Sequence, residues 1–314
     1  MMKQSVGKEL TVVDVRFAGG GSANKPMAGE GEIMALYAFD GTWNEDEADE
    51  AKDTNVVKFR DAYLGAVFYL EGVGTRLGFI GKILGGLTGA GGRVRIDEAL
   101  DSLDKNFKRG DHDIDIIGFS RGSALALHFA NMIHKERGAA VIRFLGVWDV
   151  VASFGMPGND LNVGWKLTLP PNVRRCFHAM ALDERRGNFP VSRIRPEKVH
   201  PSGDERIAEV WFRGVHSDVG GSASSGLSSI ALSWMFSRAA LANLPLAGTG
   251  VLNAQALRDP DAPISKNFDV LPDPQRKVGV NDWVHDSVKP RGNHGGVVHN
   301  DPPAGSRKTG DHPV

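Results

Sequence analysis

Short apolar runs alternate with stretches of helical spacing along most of the chain. Ile33–Phe39 is an apolar run closed by Asp40-Gly41, which predicts a buried strand and its turn. Val56–Tyr63 has helical spacing, and Val67–Tyr69 is a second short strand. In Arg93–Asn106 the residues Val94, Ile96, Leu100 and Leu103 recur at helical steps, followed by Phe107, so an amphipathic helix is predicted there. Further on, Asp113–Gly118 predicts a strand, Ser123–His134 a helix, and Val141–Trp148 a strand ending at Asp149. Ala208–Val215 predicts a strand ending in His216-Ser217-Asp218, and Leu227–Leu241 a helix. Short buried strands alternating with helices imply an α/β fold, a mostly parallel sheet with helices on both faces. Function in such sheets gathers at the carboxyl ends of the strands. Four predicted strands end there in polar or small residues: Asp40, Gly118–Ser120, Asp149 and His216–Asp218.

The alternation sets the domain boundaries. Residues 1–32 are rich in Gly, Ser and Ala and are expected to form an irregular arm. Residues 33–288 are expected to form one domain. Residues 289–314 hold Pro, Gly, His and Asp with almost no large apolar side chains, and a disordered tail is expected. Composition adds exclusions. The formal net charge of −1 favours neither nucleic acid nor a polybasic membrane anchor. The single cysteine, Cys176, cannot form an internal disulfide and reads as a buried apolar side chain. The first residues lack the apolar core of a secretory signal, and no run approaches the roughly 20 apolar residues of a membrane-spanning helix. The expectation is synthesis in the cytosol as a soluble chain, with any export using another route.

The chemistry centres on Gly118-Phe119-Ser120-Arg121-Gly122, at the junction of a strand and a helix. That context is the one a nucleophile elbow needs: a serine in a sharp turn, its hydroxyl held above the sheet, flanked by glycines. N–H groups at the start of the following helix, Arg121 first, point to where an oxyanion would develop. A serine nucleophile needs a base, and the base an orienting acid. In α/β-hydrolase folds these follow the serine in the order acid, then histidine. Two downstream acids end strands, Asp149 and Asp218, and two histidines are candidates, His216 and His285. An acid after the penultimate strand and a histidine after the last element favours Asp218 with His285. Asp149 with His216 obeys the same order. The second oxyanion donor comes from an early loop, where Gly41 and Thr42 fit.

"FDGTWN" (Phe39–Asn44), "GVGT" (Gly72–Thr75), "GFSRGSA", "GVWDVV" and "VWFRGVHSDVGGS" occur in that order. Together they resemble the α/β-hydrolase family that includes type VI secretion phospholipase effectors. The resemblance implies a serine esterase or phospholipase acting on glycerophospholipid acyl esters, with Ser120 matching the nucleophile and Asp218 the acid. It implies export by a type VI system, and a secretion adaptor or immunity protein as partner. The apolar, glycine-rich stretch Gly72–Gly92 reads as a loop before the amphipathic helix, either a lid or acyl-chain wall or an ordinary loop packed on the sheet.

No cofactor is called for. "YAFDGTW" has Ala38 where an aspartyl phosphatase needs its nucleophile, and "GFIGKIL" has Arg76 and Ile83 where a phosphate-binding loop needs glycine and Ser/Thr. His294, His299 and Asp301 lie close together, but a flexible tail is a poor metal cage. A metal-assisted hydrolase using Asp40, Asp149 and Asp218, a carboxylesterase without lipid preference, and a catalytically silent binding protein are the other readings.

Overall fold

The computed structural model describes residues 34–41, 52–72, 90–152, 166–187, 189–196, 204–223, 225–266, 275–294 and 297–311. The expected N-terminal arm, Thr42 and nearly all of the expected lid lie outside them.

Eight strands form one sheet: β1 (Met34–Phe39), β2 (Ala66–Leu70), β3 (Asp113–Phe119), β4 (Ile142–Trp148), β5 (Cys176–Ala181), β6 (Ile207–Phe212), β7 (Trp283–His285) and β8 (Arg307–Thr309). Their order is β8-β7-β6-β5-β4-β3-β1-β2, and every pairing is parallel. The helices are α1 (Asn55–Ala62), α2 (Ala90–Lys108), α3 (Arg121–Glu136), α4 (His216–Gly220), α5 (Ser225–Leu241) and α6 (Gly248–Ala256). This is the expected α/β-hydrolase-like architecture.

The period-2 alternation of the strands sorts their side chains into two cores. Tyr37 and Phe39 of β1, with Ile114 and Ile116 of β3, pack under Ile96, Leu100 and Leu103 of α2 and Leu125 and Phe129 of α3. Leu36 and Ala38, with Ile117 and Phe119, face the other way, against Val56 and Phe59 of α1 and Ile230, Trp234 and Met235 of α5. Helix α5 is apolar nearly all round because the sheet covers one side and α1, α4 and α6 cover others.

The sequence reading passed over β5. Its sequence, CFHAMA, has no β-branched residue and carries a histidine, so neither propensity nor pattern marks it. Burial from both faces is what makes it a central strand. Cys176 is buried there as a free thiol.

The expected disordered tail is corrected by β8, which forms the sheet edge beside β7. Apolar burial does not hold this segment. Buried Arg213 does, through Asp183 (2.9 Å), Asp301 (2.7 Å) and the carbonyls of Lys289 and Asn300. A hydrophobicity-based reading has no means of seeing such an anchor.

Candidate active site

Strand β3 ends at Phe119, and α3 starts at Arg121, so the chain reverses at Ser120 alone. Ser120 takes φ 58° and ψ −126°, a conformation that costs a non-glycine residue about 1–3 kcal/mol. The turn is tied to the end of β4: Ser120 N–H donates to the Trp148 carbonyl (3.0 Å), and Ser123 Oγ donates to the same oxygen (3.1 Å). The flanking glycines are steric necessities. A Cβ on Gly118 would lie 2.8 Å from Ser123 Cα, and one on Gly122 would lie 2.2 Å from the Phe39 carbonyl oxygen.

Asp149 follows Trp148, which is paired in register with Phe119, so Ser120 and Asp149 leave neighbouring strands side by side. Asp149 Oδ2 lies 2.6 Å from His216 Nδ1, and both residues are buried. Burial alone would raise the Asp149 pKa, but the Arg276 cation and His216 outweigh it and hold the carboxyl well below its usual range. The carboxylate is therefore ionised, His216 Nδ1 carries the donated hydrogen, and Nε2 is the nitrogen left for a second partner. The His216 ring packs on Phe119, beside the serine (centroids 4.6 Å apart), and edge-on to Phe189 (4.9 Å). Burial, the largest effect on His216, pushes its pKa below 6.5, against the pull of Asp149 and Glu184.

The favoured pair Asp218–His285 is not assembled. Asp218 lies in the first turn of α4, where its carboxylate accepts from Val215 N–H (3.0 Å), Ser265 N–H (3.0 Å) and Ser265 Oγ (2.5 Å). His285 ends β7, four strand steps from β3, or roughly 19 Å at about 4.8 Å per step. Both its ring nitrogens are engaged, Nδ1 with Ser287 (2.8 Å to Oγ) and Nε2 with Asp311 (3.2 Å).

The loop after β1 passes over the start of α3. Asp40 is buried and accepts from Thr54 Oγ1 (2.8 Å), Tyr69 OH (2.9 Å) and Gly41 N–H (2.7 Å). Burial pushes its pKa up to about 6. Gly41, expected as an oxyanion donor, thus gives its N–H to Asp40. Asp40, Asp149 and Asp218, the trio of the metal-assisted reading, each have separate partners, and no cluster suited to a metal occurs among the described residues.

Three neighbours escaped the sequence reading. Arg276 pairs with both oxygens of Asp149 (2.6 and 3.0 Å). Glu184 accepts from His216 N–H (3.1 Å). His178 Nε2 accepts from Val150 N–H (3.1 Å), one residue past Asp149, while its Nδ1 meets Glu209 (2.9 Å). None sits in a motif; the fold alone brings them together.

A family model described as "T6SS, Phospholipase effector Tle1-like, catalytic domain" matches residues 35–137 and 134–238, more than half of the chain. The chain belongs to this Tle1-like family. It is a family of type VI secretion effectors, and its catalytic domain is a hydrolase of the phospholipase class. Comparison with curated proteins gave no match. Among solved structures, an uncharacterized protein from Pseudomonas aeruginosa is similar at 22% identity and a TM-score of 0.53, over 72% of this chain and 49% of that one. The chain therefore spans about half the length of that protein, and the likeness bears on fold alone. RedJ, a thioesterase from the prodiginine biosynthetic pathway in Streptomyces coelicolor, aligns at 16% identity and a TM-score of 0.37, over 66% of this chain and 91% of that one. No helix among the described residues of this Tle1-like domain is long and apolar enough to cross a membrane.

The contact at Gly122 gives the Tle1-like domain a sharp stability test. Gly122→Ala sets a methyl against backbone oxygens of Phe39 and Asp40, at 2.2 and 2.5 Å. Neither oxygen can rotate away. A loss of about 3 kcal/mol is expected, or roughly 5–10 °C in the thermal midpoint. A midpoint within about 1 °C of the wild type would mean that α3 does not need this close approach.

Proposed function

We propose that this domain is a serine ester hydrolase, a phospholipase that cleaves acyl esters of glycerophospholipids, with Ser120 as nucleophile, His216 as general base and Asp149 as the orienting acid. One observation carries the assignment: the buried 2.6 Å contact between His216 and Asp149, next to a serine held at φ 58°. His216 Nε2 takes the proton from Ser120 Oγ as that oxygen attacks the ester carbonyl. The Arg121 N–H, in the first turn of α3 where no intrahelical partner exists, stabilises the oxyanion. Collapse expels the lysophospholipid alcohol, which receives the proton from His216. Water, deprotonated by the same histidine, then releases the fatty acid and restores Ser120.

The Tle1-like family membership supports the lipid substrate, and with it export by a type VI system and an immunity protein or adaptor as partner. The test is hydrolysis of phosphatidylethanolamine/phosphatidylglycerol vesicles, with products resolved by mass spectrometry and fluorophosphonate-inactivated protein as control. Fatty acid released only by the untreated protein, with the probe mapped to Ser120, is the expected result. Labelling without lipid cleavage would assign another ester as substrate. Neither labelling nor cleavage would leave a binding protein on a hydrolase fold.

A further inference from the structure

Arg276 comes from a segment 127 residues away from the aspartate it meets. Its side chain is only 7% exposed. Nη1 donates to Asp149 Oδ1 (2.6 Å) and the Ala181 carbonyl (2.7 Å), while Nη2 donates to Asp149 Oδ2 (3.0 Å) and the Phe189 carbonyl (2.7 Å). The main chain is clamped too: the Arg276 carbonyl accepts from Asn300 Nδ2 (2.8 Å), which also reaches the Leu182 carbonyl (2.8 Å). Two parallel N–H bonds fix the plane of a carboxylate as well as its position. Ala181 N–H, donating to Oδ1 (2.8 Å), is a third fixed donor to the carboxylate. The oxygen facing His216 has no freedom to swing away.

The charges around His216 show what else the guanidinium does. Asp149 faces the ring from the end of β4, and Glu184 faces its N–H from the turn after β5. Arg186 pairs with Glu184 (3.0 Å) and lies over the Phe189 ring (3.8 Å), which is itself packed on His216. Asp218, on the same helix, is turned to Val215 and Ser265. Two buried carboxylates beside an imidazole favour its protonated form, which is useless as a base. A cation on Asp149 opposes that.

The geometry points to Arg276 as a positioning residue for the catalytic pair: it fixes the Asp149 carboxylate toward His216 and offsets its charge, so that His216 remains a free base to lower pH. This rests on the assignment of His216 as the base.

Three variants separate geometry from charge: Arg276→Gln, Arg276→Lys and Asn300→Ala. Each is followed by the imidazole titration of His216 in NMR, assigned with His216→Gln, and by the pH profile of kcat/KM on a soluble short-chain ester. In Arg276→Gln the His216 pKa should rise by about one unit. Neutral His216 is the active form, so the acidic limb of the profile should move up by the same amount. Its kcat should also fall by roughly 10- to 100-fold. Arg276→Lys keeps the charge and loses the fork, so kcat should fall while the limb stays in place. Asn300→Ala should lower the thermal midpoint and leave the limb in place. An unchanged His216 titration in folded Arg276→Gln overturns the proposal. Should that variant not fold, Arg276→Lys decides, and wild-type kcat there overturns it equally. The NMR titration needs no turnover: a shifted pKa in a protein without esterase activity would uphold the role of Arg276 toward His216 and refute the hydrolase assignment instead.

Discussion

Ser120→Ala is expected to lower kcat by at least about 10³-fold on any ester substrate, with the chain still folded. The hydroxyl makes no capping bond to α3, so its removal takes nothing from the turn. The turn itself is anchored by main-chain contacts, Ser120 N–H to the Trp148 carbonyl (3.0 Å) and Ser123 N–H to the Ser120 carbonyl (3.1 Å), which alanine keeps. Alanine also keeps the strain of φ 58°, so its thermal midpoint should match the wild type. Ser120→Gly should behave differently. It is equally inactive, but glycine adopts this conformation freely and releases about 1–3 kcal/mol of strain, less about 0.5–1 kcal/mol for its own loss of freedom. The net gain of about 1 kcal/mol should raise the midpoint by roughly 2–4 °C. An inactive protein more stable than the active one is the signature of strain held for function. Wild-type turnover by Ser120→Ala would remove the serine hydrolase assignment. A Ser120→Gly midpoint at or below that of alanine would show that the turn stores no strain.

What was legible in the sequence was local. The run Asp113–Phe119 followed at once by a helical pattern located the strand-to-helix turn at Ser120, because a strand, a glycine-flanked serine and a helix all lie within one short stretch. Short apolar runs such as Ile33–Phe39, set between helical stretches, likewise carried the sheet covered on both faces, and the structure puts Tyr37 and Phe39 on one face and Leu36 and Ala38 on the other. The pairing of Asp149 with His216, the proposed acid and base, was not local. It depends on strand order, and the usual hydrolase layout points to a histidine after the last element. Here His216 stands at the start of the short helix after β6, and β7 is a strand farther from Ser120. The His-Ser-Asp spelling concealed this, since Asp218 reads equally well as an acid and as the first-turn carboxylate that caps α4. Arg276 and the Arg213 anchor had no signal at all: their meaning lies in ion pairs across the sequence, to Asp149 and Asp183.

His216→Ala should cost at least about 10³-fold in kcat, and His285→Ala should not. The two histidines are alike in burial, 5% and 1% exposed, and unlike in surroundings. His216 gives Nδ1 to an ionised aspartate on the strand next to the serine, which leaves Nε2 for proton transfer. His285 stacks on Phe212 (centroids 4.8 Å apart, planes at 22°) and spends both nitrogens on Ser287 and Asp311, with Asp311 paired in turn to Arg258. It ties β7 to the chain beyond β8. His285→Ala should therefore lose about 2–3 kcal/mol of stability through lost packing and an unpaired Asp311, yet keep kcat per folded molecule within about threefold. Asp149→Asn should follow His216→Ala, falling by roughly 10³-fold, because an amide stabilises neither the required tautomer nor the imidazolium. It also sets an amide against Arg276, so Asp149→Asn should be less stable as well as slow. Asp218→Asn, by contrast, should cost about 1 kcal/mol at the start of α4 and little turnover. The four variants are read together, with kcat referred to the folded fraction from thermal denaturation. A large loss confined to His285 and Asp218 would restore the layout the sequence favoured. Loss confined to His216 and Asp149 fixes the base beside the serine, on the strand ends that the parallel sheet brings together.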